Sequence, residues 1–226
     1  MAVQGQCKLS VIPVRSEPKS QAEIVTQILF GETYIVLSKT PEWLKVKMDF
    51  DGYEGWISEN QFSSDIVESD DLVSRPFVLD RNTVLPMGSE ISGKNESTEV
   101  PKANVIKIAK SLLNSPYLWG GRTFMGIDCS GFVQVIHKVI GVSLPRDASQ
   151  QVTIGEEVLF GNQKAGDLVF FVNEKQRVNH VGMMINQREI IHASGGVRID
   201  DLTVKGIVHS EIQNLTHSLF QIKRIR

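Results

Sequence analysis

The chain has 226 residues and a formal net charge of −2 at neutral pH, with 41% hydrophobic and 22% charged residues. That length allows one large or two small domains with a real core, and the composition is that of an ordinary soluble globular chain. Near-neutral charge and dispersed Lys and Arg exclude a general nucleic-acid or anionic-membrane binder. Met1-Ala2-Val3-Gln4-Gly5-Gln6-Cys7 lacks the basic start, apolar core and cleavage site of a secretory leader. No apolar run approaches the roughly 18 residues of a membrane span. A cytoplasmic protein is therefore expected, with no membrane or nucleic-acid partner; it is also expected to be a monomer. Two cysteines cannot form a disulfide framework, and a reducing compartment keeps both as thiols, so a Cys7–Cys129 bridge is not expected.

Up to about residue 100 the signals are strands and turns. Ile24 to Phe30 ends at Gly31, and Thr33 to Ser38 is rich in β-branched and aromatic residues. Leu44 to Met48 alternates as a half-buried strand does, Asp49 to Gly52 reads as a turn, and Tyr53 to Ile57 as the next strand. Short strands at this spacing predict a small barrel. Glu68 to Asp71 reads as a solvated acidic loop, followed by apolar stretches at Pro76–Leu79 and Thr83–Leu85. Gly88 to Glu99 has linker composition.

From Pro101 the period turns helical, with Val105, Ile106, Ala109, Leu112 and Leu113 on one face until Pro116 stops it. A second helix is predicted to begin at Cys129, capped by Asp128, with an apolar stripe of Phe132, Val133, Ile136, Val139 and Ile140 ending at Gly141. Strands follow at Asp167–Val172, His180–Ile185, Glu189–Ala193, Val197–Ile199 and Leu219–Ile225. The second half is thus predicted as α+β: helices first, then an antiparallel sheet.

Cys129, His180 and His192 form the chemically informative trio. An imidazole can take a thiol proton while a second polar group orients that imidazole. At the first turn of a helix, free N–H groups and the dipole would favour a thiolate and could receive an oxyanion. The small, polar setting of Asp128, Ser130, Gly120, Gly121 and Gly126 disfavours an inert core cysteine. A hairpin register opposing Gly182 and His192 would place His180 and His192 on one face as diagonal neighbours, roughly 7 Å apart. Taken alone, each histidine is more often structural. His137, His209 and His217 are expected to be structural, the last two in polar loop-like sequence.

Several motifs in the second half occur in the order of one family: Tyr117-Leu118-Trp119-Gly120-Gly121, Asp128-Cys129-Ser130-Gly131-Phe132-Val133-Gln134, Leu144-Pro145-Arg146-Asp147, Ala165 to Phe171, His180-Val181-Gly182 and Ile191-His192-Ala193-Ser194. Together they resemble the NlpC/P60 cysteine peptidases. The first half, through Glu23 to Glu32 and Tyr53 to Ile57, resembles a bacterial SH3 domain. The resemblance implies an α+β chain: a small all-β SH3-like barrel over 1–62, additional strands and linker over 63–100, and a papain-like NlpC/P60 domain over 101–226. It further implies a cofactor-free cytoplasmic enzyme that cleaves between γ-D-glutamate and a diamino acid in freed murein peptides with an unblocked L-alanine.

On this resemblance Cys129 is the nucleophile, His180 the base and His192 its orienting partner. Trp119, Asp128, Ser130 and Asp147 match positions lining the substrate site, and Asp147 suits an L-alanine ammonium. A tyrosine and a glutamate from the SH3 domain would wall one cleft end. Tyr53 and Glu23 are the candidates, with Glu17 and Glu54 as rivals, and barrel core is the competing explanation for Tyr53 and Trp56. One departure stands out: Ala148, with Ser149 next, occupies a place where this subgroup commonly has serine. Loss of a hydroxyl contact there would cost on the order of 1 kcal/mol. Three other functions fit the trio: a catalytically inactive peptide binder, an acyl-transferring enzyme, or a metal site, the last lacking a recognisable ligand spacing.

Overall fold

The computed structural model describes residues 3–93 and 105–225. Six strands open the chain: β1 (Val3–Gln6), β2 (Val11–Arg15), β3 (Ile24–Leu29), β4 (Thr33–Thr40), β5 (Trp43–Met48) and β6 (Glu54–Ser58). They form one antiparallel sheet in the order β1-β4-β5-β6-β2-β3. Period-2 alternation turns Ile12, Val14, Leu44, Val46, Met48 and Ile57 inward, onto Ile28, Tyr34 and Cys7. Cys7 and Cys129 are both free thiols.

The segment after the barrel adds β7 (Asp71–Leu72), β8 (Phe77–Asp80), β9 (Thr83–Pro86) and β10 (Glu90–Ile91). The hairpin β8–β9 lies beside the β7–β10 pair, over a small core of Val73, Leu85 and Ile91. Two sequence expectations change here. Asp71 leaves the acidic loop to enter β7, and Glu90 and Ile91, expected in a linker, pair with Leu72 and Asp71. Short strands of two residues carry no readable period, so only their partners define them. Pro101, the expected first turn of a helix, and residues 94–99 of the expected linker lie outside the described residues.

The second half contains α1 (Val105–Ser111), β11 (Arg122–Thr123), β12 (Gly126–Ile127), α2 (Cys129–Val139), α3 (Ala148–Gln151), β13 (Glu156–Val158), β14 (Leu168–Val172), β15 (Val178–Met184), β16 (Glu189–Ser194), β17 (Gly196–Thr203), β18 (Gly206–Val208) and β19 (Leu215–Arg224). Helices precede an antiparallel sheet as expected, yet they are short, at 7, 11 and 4 residues, and strand dominates the chain. The sheet runs β13-β19-β14-β15-β16-β17-β18, and β19 also pairs with β18, so its last six strands close on themselves. Strand β14 is buried throughout because its two faces meet different cores. Phe170 joins α2 and its neighbours, whereas Phe171 faces the inside of the closed sheet with Ile190 and Ile207.

Helix α2 differs from the amphipathic stripe the sequence suggests: every residue from Cys129 to Lys138 is buried. The polar side is covered by the N-terminal half. Glu32, after β3, accepts hydrogen bonds from both ends of the Arg122 guanidinium, at 2.8 and 2.9 Å, and from Lys138 Nζ at 2.7 Å. Lys138 also pairs with Glu90 at 2.8 Å. Burial opposes ionisation of Glu32, but the charges of Arg122 and Lys138 outweigh it and hold the carboxyl at about 2. Gly120 shows how closely the halves approach. Its φ is +76°, and a Cβ there would lie 2.2 Å from the Ile24 carbonyl oxygen.

Candidate active site

Asp128 caps α2, accepting from the Gly131 N–H at 2.7 Å, as its spacing suggests. Its carboxylate also accepts from the Gly120 N–H at 2.8 Å and from two Arg146 nitrogens at 3.0 and 2.5 Å. Arg146 reaches Ser130 Oγ at 2.7 Å and, across the domain boundary, Thr26 Oγ1 at 2.9 Å. Asp128 and Ser130 therefore line the cleft with their polar atoms already engaged. Their work is to fix the turn that presents Cys129.

The thiol is buried, at 5% exposure. Burial pushes it up to about 11 and the Asp128 charge adds to this, while backbone hydrogen bonds from Val181 and Ser130 and the Arg146 charge only partly oppose it. This corrects the expectation of a helix-stabilised thiolate. Desolvation exceeds what a helix terminus contributes, so the resting group is a neutral thiol that needs a base.

Strand register brings a pair of histidines beside it. Gly182 pairs with His192, as the hairpin expectation required. A Cβ on Gly182 would meet His192 Cβ at 2.9 Å, so glycine keeps this crossing open. His180, two residues before Gly182, then lies diagonal to His192, with Nε2 and Nδ1 2.8 Å apart. His192 Nε2 lies 3.0 Å from Asp200 Oδ2 on β17. Burial pulls His180 well below its ordinary value, and the neighbouring His192 and His217 add to this, so its ring is neutral at physiological pH.

His217 departs from its expected place in a loop. It lies on β19 and stacks on His180 with ring centroids 4.1 Å apart. The pairing of β19 with β14 and β18 brings it there, a contact with no local sequence signature. His180, His192 and His217 gather within metal-ligand reach of one another. Both His192 nitrogens are engaged, one by His180 and one by Asp200, so a metal would have to break the relay to bind. His137 is structural, its Nδ1 2.7 Å from the Val133 carbonyl oxygen. His209 is held near Arg198 at 3.2 Å.

A cavity of about 730 Å³ joins these groups. Glu23, Tyr53, Trp119, Asp128, Ser130 and Asp147 line it with Cys129, His180 and His217. His192 sits behind His180 and does not line it. The rivals Glu17 and Glu54 lie off the cavity, and Ala148 and Ser149 both face it. Burial raises Asp147 above the ordinary carboxyl value despite Arg146, with Asp128 and Asp51 adding to the rise. Burial likewise raises Tyr53, with Asp147 the next cause. Arg146, Tyr117, Asp200 and His217 escaped the sequence reading of the site. The first two sat inside recognisable motifs, and the Arg198–Asp200 spacing on one strand face was a signal for the third.

The NlpC/P60 family profile matches residues 114–216, and the bacterial dipeptidyl-peptidase SH3 domain profile matches 14–62. The gamma-D-glutamyl-L-lysine dipeptidyl-peptidase of Bacillus subtilis (strain 168) is 31% identical over 232 residues, covering 83% of this chain and 78% of that protein. The protein of the same name from Bacillus cereus (strain ATCC 10987 / NRS 248) is 29% identical over 243 residues, covering 82% and 73%. A crystal structure of an NlpC/P60 family protein from Bacillus cereus ATCC 10987 shares the fold, with a TM-score of 0.80 and 21% identity over 98% of this chain and 99% of that one. The ordered motifs and the likeness along most of the chain agree: the protein belongs to the NlpC/P60 family of cysteine peptidases, with a bacterial SH3 domain ahead of its peptidase domain.

Proposed function

We propose that the protein is a thiol endopeptidase that hydrolyses the γ-D-glutamyl–diamino acid bond of murein peptides bearing a free N-terminal L-alanine, in cytoplasmic recycling of cell-wall peptides. The observation that carries this reading is the shared cavity, in which Glu23 and Asp147 approach the Cys129–His180 pair from two domains. The half-buried Asp147 carboxyl is raised by desolvation, with the Asp128 and Asp51 charges adding, so a cation beside it would stabilise its charged form, and the substrate's ammonium is such a cation. The names of the Bacillus relatives make L-lysine the diamino acid to test first. Two free cysteines accord with a reducing compartment. Among the described residues no helix is long and apolar enough to cross a membrane.

In this mechanism His180 takes the Cys129 proton as the sulfur attacks the γ-glutamyl carbonyl carbon, forming the S–C bond. Backbone N–H groups at the start of α2 receive the oxyanion. Collapse breaks the C–N bond, and His180 gives its proton to the departing amine. Water then gives a proton to His180 and attacks the thioester, and the sulfur leaves and recovers that proton. Purified enzyme should cleave L-Ala-γ-D-Glu-L-Lys, and Cys129→Ala should not. Acetylation of the alanine amine should suppress cleavage. Equal rates on free and acetylated peptide would remove the proposed role of Glu23, Tyr53 and Asp147.

A further inference from the structure

We propose that Asp200 is a positioning residue: acting through His192, it sets the direction of a hydrogen-bond relay across three strands, so that His180 presents an acceptor nitrogen to Cys129. The inference rests on the reading of Cys129 and His180 as nucleophile and base.

The relay is a diagonal staircase. Gly182 on β15 opposes His192 on β16, and His192 opposes Arg198 on β17. Residues two apart share a strand face, so His180 precedes one crossing and Asp200 follows the next. Asp200 is 2% exposed and fully engaged. Its Oδ2 accepts from Arg198 Nε at 2.8 Å beside His192, and its Oδ1 accepts from Arg198 Nη2 at 2.9 Å and the Ser210 N–H at 2.8 Å. Burial works against the charge, but these hydrogen bonds, with that from His192, keep Asp200 ionised well below the usual carboxylate range.

An ionised carboxylate only accepts, which fixes the rest in sequence. His192 must carry a proton on Nε2. With Nε2 donating to Asp200, Nδ1 is the nitrogen left to accept from His180. The Nε2 of His180 must donate to it, which leaves the Nδ1 lone pair of His180 for the thiol. When His180 gains the thiol proton, the same direction holds, because its Nε2 still donates to His192. Asp200 never takes the proton. Asp200, Arg198, His180 and His217 face His192, and His209 and Glu211 flank Arg198 from behind.

Asp200→Asn tests this with almost no change of shape. Two backbone or guanidinium donors aim at Oδ1 against one, Arg198 Nε, at Oδ2, which favours the amide oxygen at Oδ1 and turns the NH2 toward His192 Nε2. Both histidines then reverse tautomer, and His180 faces the thiol with a proton instead of a lone pair. In the variant, kcat should fall by roughly 10³- to 10⁴-fold with KM within about twofold, the pattern of a lost orienting carboxylate. Alkylation of Cys129 by iodoacetamide at neutral pH should slow in parallel. Nitrogen-15 NMR should find Nε2–H on both histidines of the wild type and Nδ1–H on both in the variant. An Nδ1–H tautomer of His192 in the wild type overturns the proposal without any variant. So does a folded Asp200→Asn protein that is alkylated at the wild-type rate. The alkylation and NMR readouts need no substrate. Wild-type protein with the expected tautomers and no peptide cleavage would sink the peptidase reading alone. Equal cleavage by wild type and Asp200→Asn would sink the relay alone.

Discussion

At the catalytic end of the cleft, His180, His192 and Asp200 come from adjacent strands of one sheet, and none is more than 5% exposed. At the other end, Glu23 and Tyr53 come from the SH3 domain, Asp147 precedes α3, and Trp119 is 58% exposed. The first constellation is set by strand register and survives as long as the sheet does. The second exists only while two domains stay docked, and buried charges hold that docking: Glu32 with Arg122 and Lys138, and Arg146 with Asp128 while its Nε reaches Thr26. On the proposed function, chemistry is local and recognition is a product of assembly.

The most severe way to separate the ends is Glu32→Gln. It leaves Arg122 and Lys138 buried with too little counter-charge, at a cost of about 3–5 kcal/mol. Urea unfolding should show that loss, and KM for the free-alanine peptide should rise, while Cys129 alkylation per folded molecule stays at the wild-type rate. A matching fall in alkylation would mean that the two ends are not independent. A smaller effect confined to recognition is expected from Asp147→Asn. Loss of a charged partner worth about 1.5–3 kcal/mol should lower kcat/KM on the free-alanine peptide roughly 10- to 100-fold and leave the acetylated peptide unaffected.

Acid should weaken the buried histidines and the charges between the domains in different windows. Burial lowers His137 from 6.5 to about 4 and pulls His180 well below 6.5. Below pH 6.5 the unfolded chain binds protons that the folded chain refuses, so stability falls as pH falls. The slope reaches about 1.4 kcal/mol per pH unit for each such histidine and ends near the folded values. Glu32 has the same sign in a lower window: its stabilisation is complete above about 4.5 and is lost as pH falls through about 2. Urea unfolding between pH 7 and 4 reads the histidine part, and a flat profile there would contradict neutral burial of His137 and His180.

Much of the catalytic end was legible in the chain because its instructions are short-range. Asp128 stands three residues before the N–H it caps, and alternation along β15 and β16 put His180 and His192 on one face with Gly182 clearing their crossing. The NlpC/P60 and SH3 motifs are likewise compact runs. Packing alone decided the rest. His217 came to line the cavity only when β19 closed the sheet beside β14, and Glu23, rather than Glu17 or Glu54, came to line it when β3 settled against Gly120 and Arg146. The thiol ran against its helix-start expectation for the same reason. A capping dipole is written in neighbouring residues, but burial that raises Cys129 to about 11 depends on everything folded over it. Caps and strand alternation act over a few residues; desolvation and charge pairing act through space, between groups a hundred positions apart such as Glu32 and Lys138.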